Sequence, residues 1–146
     1  MFSSAALIAA TCLAGFGLNA HAVTCSALRP HLDSVERGEA TTQSKVSVGL
    51  GEDYCKMVGS PDVFTGRVEC FWSNTEDQHW TEDDARDMGQ SLNQSCSFLT
   101  AHFDDARHPG AAYFLWYGDF TGVTFKVTDQ GMTMVIQIDE EAFYFS

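Results

Sequence analysis

The clearest periodic pattern in the chain is an apolar stripe between Thr81 and Phe103. Apolar residues recur there every three or four positions, which is the spacing of one face of an α-helix. These residues are Ala85, Met88, Leu92, Cys96, Leu99 and Phe103. Thr81 and Asp84 have the spacing of a capping box, and the acids that follow Thr81 suit the helix dipole. The stretch therefore predicts a long amphipathic helix whose apolar face lies on the core.

A shorter helical pattern lies near the start of the chain. Leu28, Leu32 and Val35 share one side of a helix drawn over Ser26–Arg37, and Gly38 follows where a left-handed cap is usual. We therefore expect a short helix over this segment. The polar residues and glycines after it indicate loops, and irregular structure is expected around Cys55.

Alternation of apolar and polar residues, the period of a half-buried strand, marks the remaining elements. The predicted strands are Lys45–Leu50, Val63–Ser73, Ala112–Tyr117, Val123–Thr128 and Met132–Ile138, with Phe143–Phe145 as a short edge strand. Turn residues at Asp119–Gly122 and Asp129–Gly131 join three consecutive strands into an antiparallel meander. Most of the sheet is therefore expected from the second half of the chain.

The order of these elements predicts an α+β fold. It has an antiparallel sheet of five to six strands with a long and a short helix on one face, stabilised by disulfides. Val68, Cys70 and Trp72 are expected to face the helices, because they form the apolar set of their strand. Two helices cannot cover both faces of such a sheet. The other face is therefore the natural place for a functional surface.

Residues 1–22 have the pattern of a signal peptide. An apolar run over Ala5–Leu18 is followed by the small-x-small cleavage pattern of Ala20 and Ala22, although no Lys or Arg precedes it. The run is interrupted by polar residues and glycines and is shorter than the roughly 20 residues of a spanning helix. We expect a single secreted domain over residues 23–146, periplasmic or extracellular, with no stable membrane insertion after processing.

Four cysteines remain in the expected mature chain: Cys25, Cys55, Cys70 and Cys96. An even number of cysteines in an exported chain indicates a disulfide framework, and four cysteines allow three pairings. We expect Cys70 with Cys96 and Cys25 with Cys55, because Cys96 lies on the helix stripe and Cys70 on the strand face that meets it. No Cys-x-x-Cys pair is present, so the sequence does not favour a zinc ribbon or a thioredoxin-type redox site.

The charge balance limits the classes of partner. The chain has 20 acidic residues against 8 Lys and Arg, for a formal net charge of −12. A nucleic-acid partner is not expected, because binding a phosphate backbone needs clustered cations. The charge suits a basic protein as partner. It equally suits an acidic surface that only keeps a secreted domain soluble.

Motifs for catalysis or for a cofactor are absent from the sequence. His102 and His108 with Asp104 or Asp105 contain metal-ligand residue types, but their spacing matches no known site, so no metal is expected. The abundant acids lack the loop pattern of a calcium site. An enzyme is therefore not the favoured reading, although a small hydrolase with a dispersed site stays open. So does a carrier for a small apolar ligand, which would be lined by Met88, Leu92, Met132 and Met134.

Aromatic residues beside acids form the most suggestive group. We expect a binding site that contains Trp72, Trp80, Tyr113, Trp116, Tyr117, Glu76 and Asp77. Trp and Tyr are enriched in binding hot spots, and neighbouring carboxylates select a basic partner. The alternative is that these rings fill the core of a small domain. The sequence thus favours a secreted, non-enzymatic protein that binds another macromolecule, of the inhibitor, immunity or effector type.

Overall fold

The structure is a computed structural model and describes residues 25–60, 65–101 and 108–139. Helix α1 covers residues 25–36 and α2 covers Glu82–Ser95. The strands are β1 (Gln43–Val46), β2 (Tyr54–Val58), β3 (Arg67–Ser73), β4 (Leu99–Ala101), β5 (Tyr113–Tyr117), β6 (Thr121–Thr128) and β7 (Gly131–Ile138). The predicted signal peptide and the predicted strand at 143–145 lie outside the described residues.

All seven strands form one sheet in the order β1-β2-β3-β7-β6-β5-β4, and every neighbouring pair is antiparallel. The α+β class, the antiparallel sheet and the two helices are thus as expected, but the sheet has more strands than the predicted five to six. The two strands that the sequence did not predict are β2 and β4. Neither of the described helices is long and apolar enough to cross a membrane.

Strand β2 occupies the region where irregular structure was expected. Its side chains alternate, with Cys55 and Met57 buried and Tyr54 exposed. The segment has only five residues and glycines on both sides, which is a weak local signal for a strand. All five residues of β2 pair with β3, over Arg67–Phe71, and this pairing supplies hydrogen bonds that the local sequence does not predict.

Helix α2 begins as predicted but ends earlier. The capping box is present, since Thr81 Oγ1 accepts from the Asp84 amide at 3.1 Å and Asp84 Oδ2 accepts from the Thr81 amide at 2.9 Å. The helix stops at Cys96, whose backbone is extended, rather than at Phe103. Leu99 then starts β4 and pairs with Tyr117. The spacing from Cys96 to Leu99 fits a helix as well as a turn into a strand, so the periodicity alone misplaced this end.

The core lies between the two helices and one face of the sheet. As predicted, Val68, Cys70 and Trp72 are buried on this face, at 0%, 0% and 2% exposure. They lie opposite apolar residues of β7, and the next strands continue the same apolar layer. The core contributions of the helices are Leu28, Leu32, Val35, Ala85 and Leu92. The helix-facing side of the sheet is therefore closed, and the opposite side carries polar residues together with Phe71, Phe114, Trp116 and Val135.

The pairing of the cysteines differs from the prediction. All four are in disulfides, but Cys25 bonds to Cys96 and Cys55 to Cys70. Cys55 and Cys70 are direct cross-strand partners with Cα atoms 4.0 Å apart, so β2 brings them together as soon as it pairs with β3. Cys25 and Cys96 join the start of α1 to the end of α2. The prediction failed because β2 was not recognised as a neighbour of β3.

Candidate functional site

Three of the predicted binding residues lie in the core. Trp72, Tyr113 and Tyr117 are 2%, 4% and 8% exposed, respectively, and they belong to the buried cluster. Trp80 and Trp116 are half-buried. Trp80 meets Trp72 edge to face with 6.4 Å between the ring centres. The five aromatic residues therefore do not form one exposed patch, and three of them fill the core.

Tyr117 connects α1 to the sheet. Its hydroxyl donates to the carboxylate of Asp33, and its ring meets Phe98 edge to face at 5.7 Å. Burial, followed by the hydrogen bond to Asp33, raises the pKa of the Tyr117 hydroxyl above its ordinary value. Arg29 lies over the Phe98 ring at 4.9 Å. This cluster holds the first helix in place and leaves the Tyr117 ring unavailable to a partner.

The predicted acidic residues, in contrast, are exposed. Glu76 and Asp77 lie in the loop before α2, and exposed carboxylates continue into the first turns of the helix. We call the following set the acidic surface: Glu76, Asp77, Glu82, Asp83 and Asp87. Among the described residues, the ion pair of this set is that of Asp83 with Arg86 at 2.7 Å. The remaining four carboxylates are exposed, and no cation of the described segments forms an ion pair with them.

Asn74 holds the loop that carries Glu76 and Asp77. Its Oδ1 accepts from the Trp80 amide at 2.8 Å, its Nδ2 donates to the Asp129 carbonyl at 3.2 Å, and its amide donates to the Gln130 carbonyl at 2.9 Å. The loop is thereby tied to the β6–β7 hairpin at one end and to the entry of α2 at the other. Its carboxylates are presented on an ordered backbone.

The open face of the sheet contains a second candidate site. A cavity of about 360 Å³ lies at the end of β3 and β7. We call it the open-face cleft, and its lining residues are Tyr54, Phe71, Trp72, Ser73, Thr128, Gln130, Gly131, Met132 and Thr133. Tyr54 is 44% exposed and stacks on Phe71, with ring centres 4.8 Å apart and ring planes at 22°. Phe71 is half-buried, so Tyr54 presents the exposed ring of this stacked pair.

The alternation that turns Val68, Cys70 and Trp72 towards the helices leaves Phe71 on the open face, but the sequence did not select Tyr54. The two rings meet because Tyr54 and Phe71 are cross-strand partners in β2 and β3. The sequence of β2 does have the alternation of a strand, because Tyr54 and Lys56 alternate with the apolar Cys55 and Met57. The glycines on both sides favoured the interpretation as irregular structure instead.

On the open face, along β2 and β3, two cations share one carboxylate. Glu69 lies between Arg67, at 2.5 Å, and Lys56, at 3.5 Å. Burial alone would raise the pKa of Glu69, but the hydrogen bond and charge of Arg67, with a smaller effect of Lys56, hold it below its ordinary value. Both cations thus have a carboxylate partner within the sheet.

The histidines considered as metal ligands or catalytic residues do not come together in the described part of the structure. His108 pairs with Asp139 at 3.0 Å and stacks on Phe114 with ring centres 3.7 Å apart, while His79 is exposed in the loop before α2. His102 lies outside the described residues. Within the ranges that the structure describes, no group of three or more His, Cys, Asp or Glu is placed to hold a metal ion.

The predicted lining of an apolar carrier site is part of the core. Leu92, Met132 and Met134 are buried at 0%, 1% and 0% exposure, and Met88 packs against the same cluster. These side chains are in contact with the helices and the sheet, as expected of ordinary core residues.

Comparisons with known proteins add no further guide: no family model, curated protein or solved structure matches this chain.

Proposed function

We propose that this chain is an exported, non-enzymatic binding protein that recognises a basic partner protein through its acidic surface. The observation that carries the proposal is the display of exposed carboxylates on an ordered backbone at the start of α2. Residues 74–95 contain six acidic residues against one Arg. Inhibitors, immunity proteins and effectors are the classes of protein that act in this way.

The acidic surface suits recognition because its charges are held before the partner arrives. Asn74 fixes the loop, and the capping box at Thr81 and Asp84 fixes the first turn of α2. A preordered surface loses less conformational freedom on binding, and complementary charge raises the rate of association. Trp80, two residues before the start of α2, is half-buried and adds a partly accessible aromatic side chain to this region.

Charge reversal tests this proposal. The oxidised protein is used to capture partners from the host environment, as wild type and as the variant Glu76→Lys/Asp77→Lys. The matched control is Glu39→Lys/Asp119→Lys, which changes the net charge equally at exposed positions away from the acidic surface. We expect the first variant to lose a captured basic protein, with at least about a 10-fold weaker Kd, and the control to retain it.

The association rate of that complex should also fall as salt is raised, because the attraction between exposed charges is screened. Equal binding by both variants, or a captured partner that is not basic, would contradict the proposal.

Export is the second part of the proposal. It is supported by two disulfides, which persist in oxidising compartments, and by the signal-peptide pattern of residues 1–22. The test is the intact mass of the protein recovered from the periplasm or the medium. We expect a chain that begins at Val23 and has four oxidised cysteines, whereas four free thiols or an unprocessed N-terminus would contradict export by this route.

A further inference from the structure

One wall of the open-face cleft is aromatic. Tyr54 and Phe71 stand side by side on neighbouring strands, and the stack covers one face of each ring. The Lys56 ammonium lies 5.9 Å from the centre of the Phe71 ring. Tyr54 nevertheless keeps 44% of its surface exposed. A ligand with an apolar face therefore has a flat surface on which to lie.

The rest of the lining contains uncharged hydrogen-bonding groups. Ser73 and Thr133 contribute hydroxyls and Gln130 contributes an amide. Within the described part of the chain these three side chains make no hydrogen bond, while Thr128 is engaged by its own turn through the Gln130 amide at 3.2 Å. Hydroxyls donate and accept, and an amide does both at separate atoms. The groups can thus meet a ligand that carries several hydroxyls.

No residue among the nine that line the cleft is charged. The nearest cation, Lys56, lies beside Phe71 and shares the Glu69 carboxylate with Arg67. Asp53, next to Tyr54, accepts the Ser73 amide at 2.8 Å. A cationic or anionic ligand would therefore find no opposite charge among the lining residues, since Asp53 and Lys56 lie at the rim, and burial of an unpaired charge is costly.

We propose that the open-face cleft binds a neutral pyranose unit of a saccharide. A pyranose has an apolar face of C–H groups, which would stack on Tyr54, and a rim of hydroxyls, which would bond to Ser73, Gln130 and Thr133. The volume is near the lower end of the range for small-molecule sites, about 300–1,000 Å³, which suits one or two sugar rings. The acidic surface and the cleft share no residue, so this proposal is independent of the proposed function.

Titration followed by amide chemical shifts tests the proposal on the full oxidised protein. The probes are maltose, cellobiose, lactose and N,N′-diacetylchitobiose, with adenosine and an arginine-rich peptide as comparators. We expect at least one neutral disaccharide to bind with a Kd of about 1 mM or tighter. The shifts should be concentrated at Tyr54, Ser73, Gln130 and Thr133.

Three variants locate the binding. Tyr54→Ala should weaken the Kd about 10-fold or more, because it removes the stacking surface. Tyr54→Phe should retain binding, since it keeps the ring, and Thr100→Ala, at an exposed position on the far edge of the same sheet, should leave binding unchanged. The amide spectrum of each variant checks that the fold is kept.

The proposal is overturned if none of the neutral disaccharides binds, or if Tyr54→Ala binds as tightly as wild type. It is equally overturned if the shifts fall outside the cleft, or if adenosine or the arginine-rich peptide binds in the cleft more tightly than every saccharide. The saccharide titration is read on the wild-type protein, so loss of the basic partner in the charge-reversal variant leaves these results unaffected.

Discussion

At the scale of single residues, two carboxylates hold loops that would otherwise expose unpaired amides. Glu36, at the end of α1, accepts the amides of Asp119 and Phe120 at 2.8 and 3.1 Å and the hydroxyl of Thr121 at 2.6 Å. Glu52 accepts the amides of Val48 and Leu50 in the same manner. Glu36 therefore connects α1 to the turn between β5 and β6, and Glu52 closes the loop between β1 and β2. Removal of either side chain would take away the acceptor of these donors.

Glu52→Gln should destabilise the protein at pH 7 by about 1–2 kcal/mol. The backbone N–H groups of Val48 and Leu50 bond to different oxygens of the Glu52 carboxylate, at 3.0 and 2.8 Å. In glutamine one of these oxygens is replaced by an NH₂ group, which cannot accept a hydrogen bond. Burial opposes ionisation of Glu52, but the backbone hydrogen bonds, including those of Val48 and Leu50, lower its pKa below the ordinary 4.5. Its stabilising contribution is therefore complete above pH 4.5 and is lost as the pH falls through the lower value of the folded state.

Urea unfolding at several pH values checks this prediction. The difference in unfolding free energy between wild type and Glu52→Gln should shrink as the pH drops below 4.5. Glu39→Gln, at an exposed position, is the control and should change stability little at any pH. A difference that stays constant with pH would contradict the assigned role of the carboxylate.

At the scale of elements, α2 lies close to β5 because it has a glycine at the contact. A Cβ atom at Gly89 would be 2.3 Å from Cδ2 of Tyr113 and 2.7 Å from its Cγ. The Tyr113 ring is buried against this gap, and burial raises the pKa of its hydroxyl. The glycine is thus explained by packing, although it weakens the isolated helix.

Gly89→Ala therefore tests this packing. In an unhindered helix the change would stabilise by up to about 1 kcal/mol. Here we expect destabilisation of about 1–3 kcal/mol, because the added methyl group overlaps the Tyr113 ring. Thermal unfolding measures the effect, and Gln90→Ala, at the exposed next position, should be neutral or slightly stabilising. A higher melting temperature for Gly89→Ala would mean that the helix does not pack as described.

At the scale of the whole molecule, the two disulfides have different roles. Cys55–Cys70 joins neighbouring strands across a sequence separation of 15 residues. Cys25–Cys96 joins the two helices across 71 residues and encloses the first three strands of the sheet. The second bridge therefore restricts the unfolded chain far more than the first.

The connectivity can be read directly from a tryptic digest without reduction, because the four cysteines fall on four different peptides. These are the peptide that ends at Arg37, followed by Val46–Lys56, Val68–Arg86 and Asp87–Arg107. We expect the second to be linked to the third and the first to the fourth. A link between the third and the fourth, which is the pairing expected from the sequence, would contradict the structure.

Removing each bridge tests its contribution to stability. From loop length alone, Cys25→Ala/Cys96→Ala should lose about 4.4 kcal/mol and Cys55→Ala/Cys70→Ala about 3 kcal/mol. Chemical unfolding of both variants beside wild type gives the comparison. An equal or larger loss on removing Cys55–Cys70 would mean that strand packing, and not the enclosed loop, determines the effect.

The sequence by itself determined which side of each element is apolar. The alternation of Val68, Cys70 and Trp72, the capping box at Thr81 and the meander of the last strands were all readable, because each depends on residues a few positions apart. The exposure of Glu76 and Asp77 followed from the same local reasoning. These features required no knowledge of which elements pack together.

Only the tertiary structure decided which elements are neighbours. Pairing with β3 made a strand of Tyr54–Val58, and pairing with β5 ended α2 at Cys96. The same contacts set the disulfide partners, buried most of the predicted binding rings and placed Tyr54 beside Phe71. The physical reason is that local periodicity encodes a residue's orientation, whereas long-range hydrogen bonding and burial select its partner and can override the local pattern.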